Sequence, residues 1–200
     1  MNNKLSIRLG RKEDAKGVLA IYKHYVIHTA ITFEYEVPSI EEMENRIINI
    51  LKKYPYLVCE DDDKIVGYAY ASDFRHRAAY QWSPESAIYL SNAIQGKGIG
   101  KILYQTLFDV LRFQGFYNVF AGVALPNEAS IKLHLKLAFE EIGDYKNIGY
   151  KHGKWHTTKW FQLALKDYGV DPETPELIED VKDSKAFYEI LNIANKQLNK

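Results

Sequence analysis

The residues best placed for chemistry are the three glycines of the run Gln95-Gly96-Lys97-Gly98-Ile99-Gly100. An extended stretch, Ala87-Ile88-Tyr89-Leu90, precedes them. A helical pattern of Ile102, Leu103, Leu107, Phe108 and Leu111 follows. Glycine at a strand-to-helix turn lets the backbone approach a ligand closely and take φ values that other residues avoid. The first N–H groups of the following helix lack intrahelical partners and lie at the positive end of its dipole. Such a turn binds phosphate. Spacing removes two phosphate ligands from consideration. A dinucleotide fingerprint, G-x-G-x-x-G, needs its third glycine one position later, and a P-loop needs Ser or Thr where Ile102 stands.

Other side chains of the right type lie nearby in sequence. Glu85 stands in the setting Trp82-x-x-Glu85, just before the extended stretch. The apolar bodies of Tyr80, Trp82 and Tyr89 could raise its pKa into the range of a general base. A surface glutamate is an equally good reading of those residues alone. His134 titrates near neutrality and could donate or accept a proton, or simply pack. Asn127 sits between a strand end and a helix start, a natural N-cap. Tyr70, Arg75, Arg77 and Tyr80 cluster in one segment. They could hold an anion or form an ordinary basic surface loop, with Arg77 and Tyr80 the better candidates for an anion contact and Arg75 for the surface reading. His24, His28, His152 and His156 show no zinc-like ligand spacing, so no metal is expected. Cys59, the one cysteine, reads as a small core residue with no disulfide partner.

The elements that must position these groups can be read from periodicity. Ser6 to Leu9 reads as a strand, and Asp14 to about Thr29 as a helix with Val18, Leu19, Tyr22, Tyr25 and Val26 on one side. Ser39 and Glu42 form a capping box at the start of a second helix, with Met43, Ile47, Ile50 and Leu51 inward. Tyr56 to Glu60 and Ile65 to Ala71 read as a hairpin about an acidic turn. A strand from about Gln81 to Ser91 enters the glycine loop, and a helix from Gly98 to Gln114 leaves it, closed by Gly115. Val119 to Ala124 is a strand, and Pro126-Asn127 opens a helix to about Leu137. Phe139 to Leu165 reads as two antiparallel strands. The order is a mixed α/β pattern without internal repeats. Beyond Leu165, the turn-rich stretch from Gly169 to Pro175 leads to one or two short amphipathic helices. The expected organisation is a domain over residues 1–165 and a linker with a helical extension over 166–200.

Bulk properties exclude other classes. Two hundred residues with 46% hydrophobic content suit one α/β domain and a small appendage. Lys plus Arg and Asp plus Glu are both 26, so the net charge is zero, which argues against nucleic acid or an anionic membrane as partner. The start, MNNKLSIRLGRKED, has no apolar leader segment, and no apolar run is long enough to span a bilayer. A cytoplasmic protein is expected.

The spelling Q-x-x-G-x-G closely resembles the acetyl-CoA pyrophosphate loop of the GNAT N-acetyltransferases. The flanks are similar to one branch, the phosphinothricin N-acetyltransferase family. They are Ile65 to Ala71, Phe74 to Tyr89, Tyr22, Thr29, Thr32-Phe33-Glu34, Pro126-Asn127, Ser130-Ile131, His134, and Gly149-Tyr150-Lys151-His152-Gly153-Lys154-Trp155-His156. The match covers roughly residues 5 to 165. The resemblance implies the GNAT fold, a mixed and mostly antiparallel sheet with two splayed strands, ending here near Leu90 and Ala124. It implies acetyl-CoA as co-substrate, gripped by Gln95, Gly96, Lys97, Gly98, Ile99, Gly100 and Lys101, with Asn127 on its pantetheine arm. Backbone groups near Ile88, Tyr89 and Leu90 would polarise the thioester carbonyl. Glu85 becomes the general base that deprotonates an amine, and His134 a leaving-group acid or substrate contact. Phe33, Tyr70, Arg75, Arg77 and Tyr80 become the substrate contacts. The expected reaction is direct acetyl transfer to a small amino-acid-like amine of the phosphinothricin, methionine sulfone or methionine sulfoximine type, in a homodimer. The alternatives are another amine (peptide N-terminus, polyamine or aminoglycoside) or a non-catalytic acetyl-CoA-binding module. Two departures stand out. Leu137-Ala138-Phe139 replaces the family's L-G-F/Y, and alanine is expected to take an ordinary φ there. The extension beyond residue 165 is foreign to the typical member.

Overall fold

The computed structural model describes residues 5–200, so the first four residues of the expected domain lie outside it. The chain forms β1 (Leu5–Leu9), α1 (Ala15–His28), α2 (Ile40–Leu51), β2 (Tyr56–Asp61), β3 (Lys64–Ser72), β4 (Glu85–Leu90), α3 (Ile99–Gln114), β5 (Asn118–Ala124), α4 (Glu128–Lys136), β6 (Glu140–Lys151) and β7 (Lys154–Ala164). Two helices end it, α5 (Ile178–Val181) and α6 (Lys185–Leu198). The strands make one seven-stranded sheet in the order β1-β2-β3-β4-β5-β7-β6.

Local chemistry sets most boundaries. The capping box at Ser39 and Glu42 is present: the Glu42 N–H donates to Ser39 Oγ at 3.1 Å and the Ser39 N–H to Glu42 Oε2 at 2.8 Å. Asp62 and Asp63 take positive φ values of 46° and 65°, which matches the twist of the β2–β3 hairpin. Gly115 ends α3 at φ 100°. The faces then pack in three layers. Leu103, Leu107 and Leu111 of α3 are fully buried against one side of the sheet. Val18, Val26, Met43 and Ile47 of α1 and α2 cover the other. Leu107→Ala would leave a core cavity and cost about 2–5 kcal/mol.

The sheet is antiparallel except at its centre. There β4 and β5 run parallel and register at a single pair, Glu85 with Phe120. The Phe120 N–H donates to the Pro84 carbonyl at 2.9 Å, and the Tyr117 N–H to the Trp82 carbonyl at 3.0 Å. Beyond Glu85, β4 pairs with β3 and β5 with β7. The two central strands thus part toward their C-terminal ends and open a cleft, as the resemblance implied.

Two expectations need correction. The strand into the glycine loop starts at Glu85 and not near Gln81. Ala78–Tyr80 form a 3₁₀ turn, and the Gln81 and Ser83 N–H groups bond back to the Ala78 and Tyr80 carbonyls. Those donors are therefore absent from any ladder. Ala138 does not take an ordinary φ but adopts 65°, the left-handed conformation of a helix C-terminal stop. The Phe139 N–H closes that stop on the His134 carbonyl at 3.1 Å.

Candidate active site

Strand alternation decides what faces the cleft. In β3 and β4, Tyr68 pairs with Tyr89, Tyr70 with Ala87 and Ser72 with Glu85, and paired residues share a sheet face. Tyr56 of β2 pairs with Tyr70 and joins them. Glu85 therefore opens a tyrosine-lined wall on the α1 side. Tyr68 stacks on Tyr89 at 5.2 Å, Tyr56 on Tyr70 at 5.2 Å, and Tyr22 meets Tyr89 edge-on at 5.1 Å.

Burial raises the pKa of the Glu85 carboxyl, and the nearby Arg75 guanidinium partly opposes it. Arg75 is held over the Phe74 ring at 5.0 Å, and Phe74 stacks on Phe120 at 4.7 Å. The strand partner of Glu85 thus also seats the arginine. Arg77 and Tyr80 lie on the exposed 3₁₀ turn, and among the described residues their side chains make no hydrogen bond, ion pair or ring contact.

Phe33 belongs to the loop between α1 and α2, which is pinned to the β6–β7 hairpin. The buried Lys151 ammonium donates to the Val26 and Thr32 carbonyls, each at 2.8 Å. The Tyr35 hydroxyl donates to the Tyr150 carbonyl. Gly149 is where the Phe33 ring rests: a Cβ there would stand 2.5 Å from it. Glu34 pairs with Arg46 of α2 at 2.6 Å, and the charges of both bear on the Tyr22 hydroxyl. The reading of the sequence gave Glu34, Arg46 and Lys151 no role. Lys151 was visible within the Gly149-to-His156 stretch, whereas Arg46 lay on a helix face with nothing to mark it.

The glycine loop is built as a cradle. Gly96 and Gly98 take φ values of 76° and 81°, and open space surrounds the position of a Cβ at each. Gly100 serves packing instead, since a Cβ there would meet Leu90 Cδ1 at 2.7 Å. Among the described residues, the N–H groups from Gly96 to Gly100 find no partner, whereas the Lys101 N–H returns to the Gly98 carbonyl. Lys97 and Lys101 are exposed beside them. Gln95 is exposed, with its Nε2 donating to Asn92 Oδ1 at 3.1 Å and the Tyr25 hydroxyl at 3.3 Å. Ile99 is buried.

On β4, the Ser91 N–H donates to the Val66 carbonyl, so alternate residues Ile88 and Leu90 turn their backbone groups toward the cleft. The Tyr25 hydroxyl takes both Leu90 groups, donating to its carbonyl at 2.6 Å and accepting its N–H at 3.3 Å. The Ile88 N–H is left facing the splay, while Tyr89 bonds toward β3.

Across the cleft, Asn127 caps α4: its Oδ1 accepts the Ser130 N–H at 3.2 Å. His134 is buried, its Nδ1 2.8 Å from the Ser130 carbonyl and its Nε2 unpartnered. Tyr104, Phe139 and Phe161 surround the ring at 4.9–5.5 Å. Burial lowers its pKa, so the ring is neutral at pH 7 with the proton on Nδ1. An open groove of about 600 Å³ runs along the β6–β7 arm, lined by Leu125, Pro126, Lys146, Trp155 and His156 among others, and Glu85, Asn127, His134 and the glycine loop are not part of its lining. Among the described residues no cluster of metal-binding side chains occurs, and no helix is long and apolar enough to cross a membrane.

Over residues 7–160 the chain matches the family described as acetyltransferase (GNAT) domain. It is 35% identical to a phosphinothricin N-acetyltransferase of Streptomyces coelicolor, covering 80% of this chain and 96% of that protein. It is 32% identical to an L-methionine sulfoximine/L-methionine sulfone acetyltransferase of Salmonella typhimurium, covering 82% and 96%. Among solved structures, a phosphinothricin acetyltransferase of Sinorhizobium meliloti in complex with acetyl-CoA superposes with a TM-score of 0.80 at 35% identity, covering 88% of this chain and 98% of that one.

Proposed function

The chain belongs to the GNAT acetyltransferase family, and we propose that it moves the acetyl group of acetyl-CoA to the primary amine of a small amino-acid-like substrate of the phosphinothricin, methionine sulfone or methionine sulfoximine type. The observation that carries this reading is the placement of Glu85. Its carboxyl stands where β4 and β5 begin to part, with its pKa raised and Arg75 beside it, on the strand whose far end enters the glycine cradle.

Each residue then has a task. The unpartnered N–H groups from Gly96 to Gly100 bind pyrophosphate at the start of α3. Acetyl-CoA supplies the acyl group as a thioester. The Ile88 N–H donates to the thioester oxygen and stabilises the charge that develops there. Glu85 takes a proton from the substrate ammonium, directly or through water, and frees the nitrogen lone pair. The N–C bond forms, the C–S bond breaks, and the thiolate leaves with its electron pair and picks up a proton. His134 starts neutral with Nδ1 occupied, so Nε2 is suited to accept a hydrogen bond rather than to donate a proton. Arg75 and the tyrosine wall hold the substrate's anionic group, and Phe33 closes the apolar side.

We assign the exposed side chains of the β6–β7 arm, Ile148, Tyr150 and Trp155 among them, to contact with a second copy in a homodimer.

CoA release with a panel of amines tests the substrate class. Phosphinothricin, methionine sulfone and methionine sulfoximine should turn over, and peptides and polyamines should not. Turnover confined to the second group would reverse the assignment. Tight acetyl-CoA binding without transfer to any amine would point to a binding module.

A further inference from the structure

The segment that delivers Glu85 to the cleft is held by the C-terminal extension. We propose that residues 166–176 act as a positioning strap on residues 82–84 and so place the Glu85 carboxyl at the head of the β4–β5 cleft. The inference rests on Glu85 serving as the base.

Two tethers converge on this segment. The Trp82 Nε1–H donates to the Glu173 carbonyl at 2.8 Å. The Tyr168 hydroxyl donates to Asn118 Oδ1 at 2.6 Å. Asn118 in turn donates through Nδ2 to Ser83 Oγ at 3.3 Å, and its N–H lies 3.3 Å from the Trp82 carbonyl. Pro84 and Glu85 follow immediately.

The strap is itself anchored at both ends. Near its start, Tyr168 stacks on Tyr117 at 6.3 Å and 11°, and the Lys166 ammonium lies 4.0 Å over the same Tyr117 ring. At its end, the Glu176 N–H donates to the Gln114 carbonyl at 2.8 Å, and the buried Gln114 amide donates back to the Glu176 carbonyl at 2.7 Å. The other end of the substrate loop is fixed separately, where Asp73 accepts from Lys53 at 2.8 Å and from the Tyr54 hydroxyl at 2.6 Å. The strap therefore supplies the second fixed end of a loop whose middle, from Arg75 to Tyr80, is exposed. These residues lie beyond the 7–160 range of the family domain.

A small displacement of a reacting group is enough to matter: about 1 Å can cost about a hundredfold in rate. The test removes single donors and keeps an aromatic ring at each position. Trp82→Phe deletes the Nε1–H, and Tyr168→Phe deletes the hydroxyl while keeping the stack on Tyr117. The double variant should lower kcat about tenfold, with the KM for acetyl-CoA changed less than about twofold. The acid limb of its kcat/KM profile should move to lower pH, because a loosened Glu85 is better solvated. Arg75 from the loop, Tyr70 from β3 and Tyr104 from α3 are the groups whose charges couple to Glu85, and both substitutions leave them intact. Melting curves establish that the variants are folded.

Unchanged kcat and an unchanged limb would overturn the strap, provided Glu85→Gln abolishes both. A limb that persists in Glu85→Gln marks failure of the base assignment instead, and the strap falls with it. Equal loss of affinity for both substrates with an unmoved limb would mean general loosening and would also overturn the proposal.

Discussion

At Glu85, burial and a neighbouring cation act in opposite directions. Burial raises the pKa and the Arg75 charge offsets part of the rise. The ionised carboxylate is the active base, so kcat/KM must fall as pH drops through the raised value, above the ordinary carboxylate range of about 4.3. The same shift favours the protonated form in the fold. Ionisation of Glu85 therefore removes stability as pH rises through the folded value, and Glu85→Gln should melt higher than wild type at neutral pH while losing turnover. Arg75→Ala removes the offset and should move the acid limb further up, an effect that fades with salt because Arg75 is exposed. A limb that stays in place in a pH–rate series at low ionic strength would separate Arg75 from the base. For His134 the expectation differs. Asn can keep the bond to the Ser130 carbonyl and lacks Nε2, so the kcat of His134→Asn measures what that nitrogen contributes. A neutral acceptor predicts a loss under about tenfold, and an essential acid predicts about a hundredfold or more. Much of this candidate site was legible in the sequence because its parts lie on regular elements with fixed offsets: Glu85 at the start of a strand, glycines before a helix, Asn127 as a cap. The sequence favours Arg77 over Arg75, yet it is the Arg75 charge that reaches Glu85, because a short 3₁₀ turn and the Phe74–Phe120 stack decide which arginine is held there.

Elements obey local rules up to the point where a distant element intervenes. The amphipathic pattern of the tail predicted helices, but no local signal says that α6 docks on β1. There Asn195 does for an edge strand what a neighbouring strand would do. Its Oδ1 accepts the Ile7 N–H at 2.6 Å and its Nδ2 donates to the Ile7 carbonyl at 3.0 Å. An open edge invites pairing with other chains, and a covered edge does not. Asn195→Ala removes both bonds at a partly buried site and should cost about 1–3 kcal/mol. The melting temperature should fall and light scattering on heating should rise. An unchanged melting temperature would reduce Asn195 to a surface contact. Ala138 illustrates the opposite limit. Its left-handed φ is imposed by the stop between α4 and β6, where local preference would refuse it. Such a conformation strains an L-residue by about 1–2 kcal/mol, so glycine there should stabilise the chain by a fraction of that once its extra freedom in the unfolded state is subtracted. The misplaced start of β4 has a similar origin. The stretch from Gln81 looks extended, yet its donors are spent within the turn.

At the scale of the whole molecule, the two edges of the sheet are treated differently. β1 is closed by Asn195, while β6 at the other edge runs the length of an arm whose side chains are almost all exposed. Tyr145, Ile148, Tyr150 and Trp155 are 45–62% exposed on that arm. Single exposed apolar residues need no explanation, but a contiguous group marks a surface that meets something. The homodimer assignment gives it an occupant, and that occupant would bear on the site. The hairpin that presents Trp155 also carries Lys151 and Gly149, which hold the Phe33 loop. Dimerisation and the apolar side of the substrate cleft should therefore be coupled. In light scattering the wild type should run at twice its 23.2 kDa mass. Ile148→Asp with Trp155→Glu should return it to the monomer, since stable dimers need on the order of 1,200–2,000 Å² of buried surface and charges at its centre are poorly tolerated. The monomer should keep its affinity for acetyl-CoA, whose cradle lies at the start of α3. It should show a raised KM for the amine, because the Phe33 loop loses its support. A wild type that is monomeric at micromolar concentration would refute the dimer. A monomeric variant with an unchanged amine KM would leave the dimer standing and break its link to the substrate cleft.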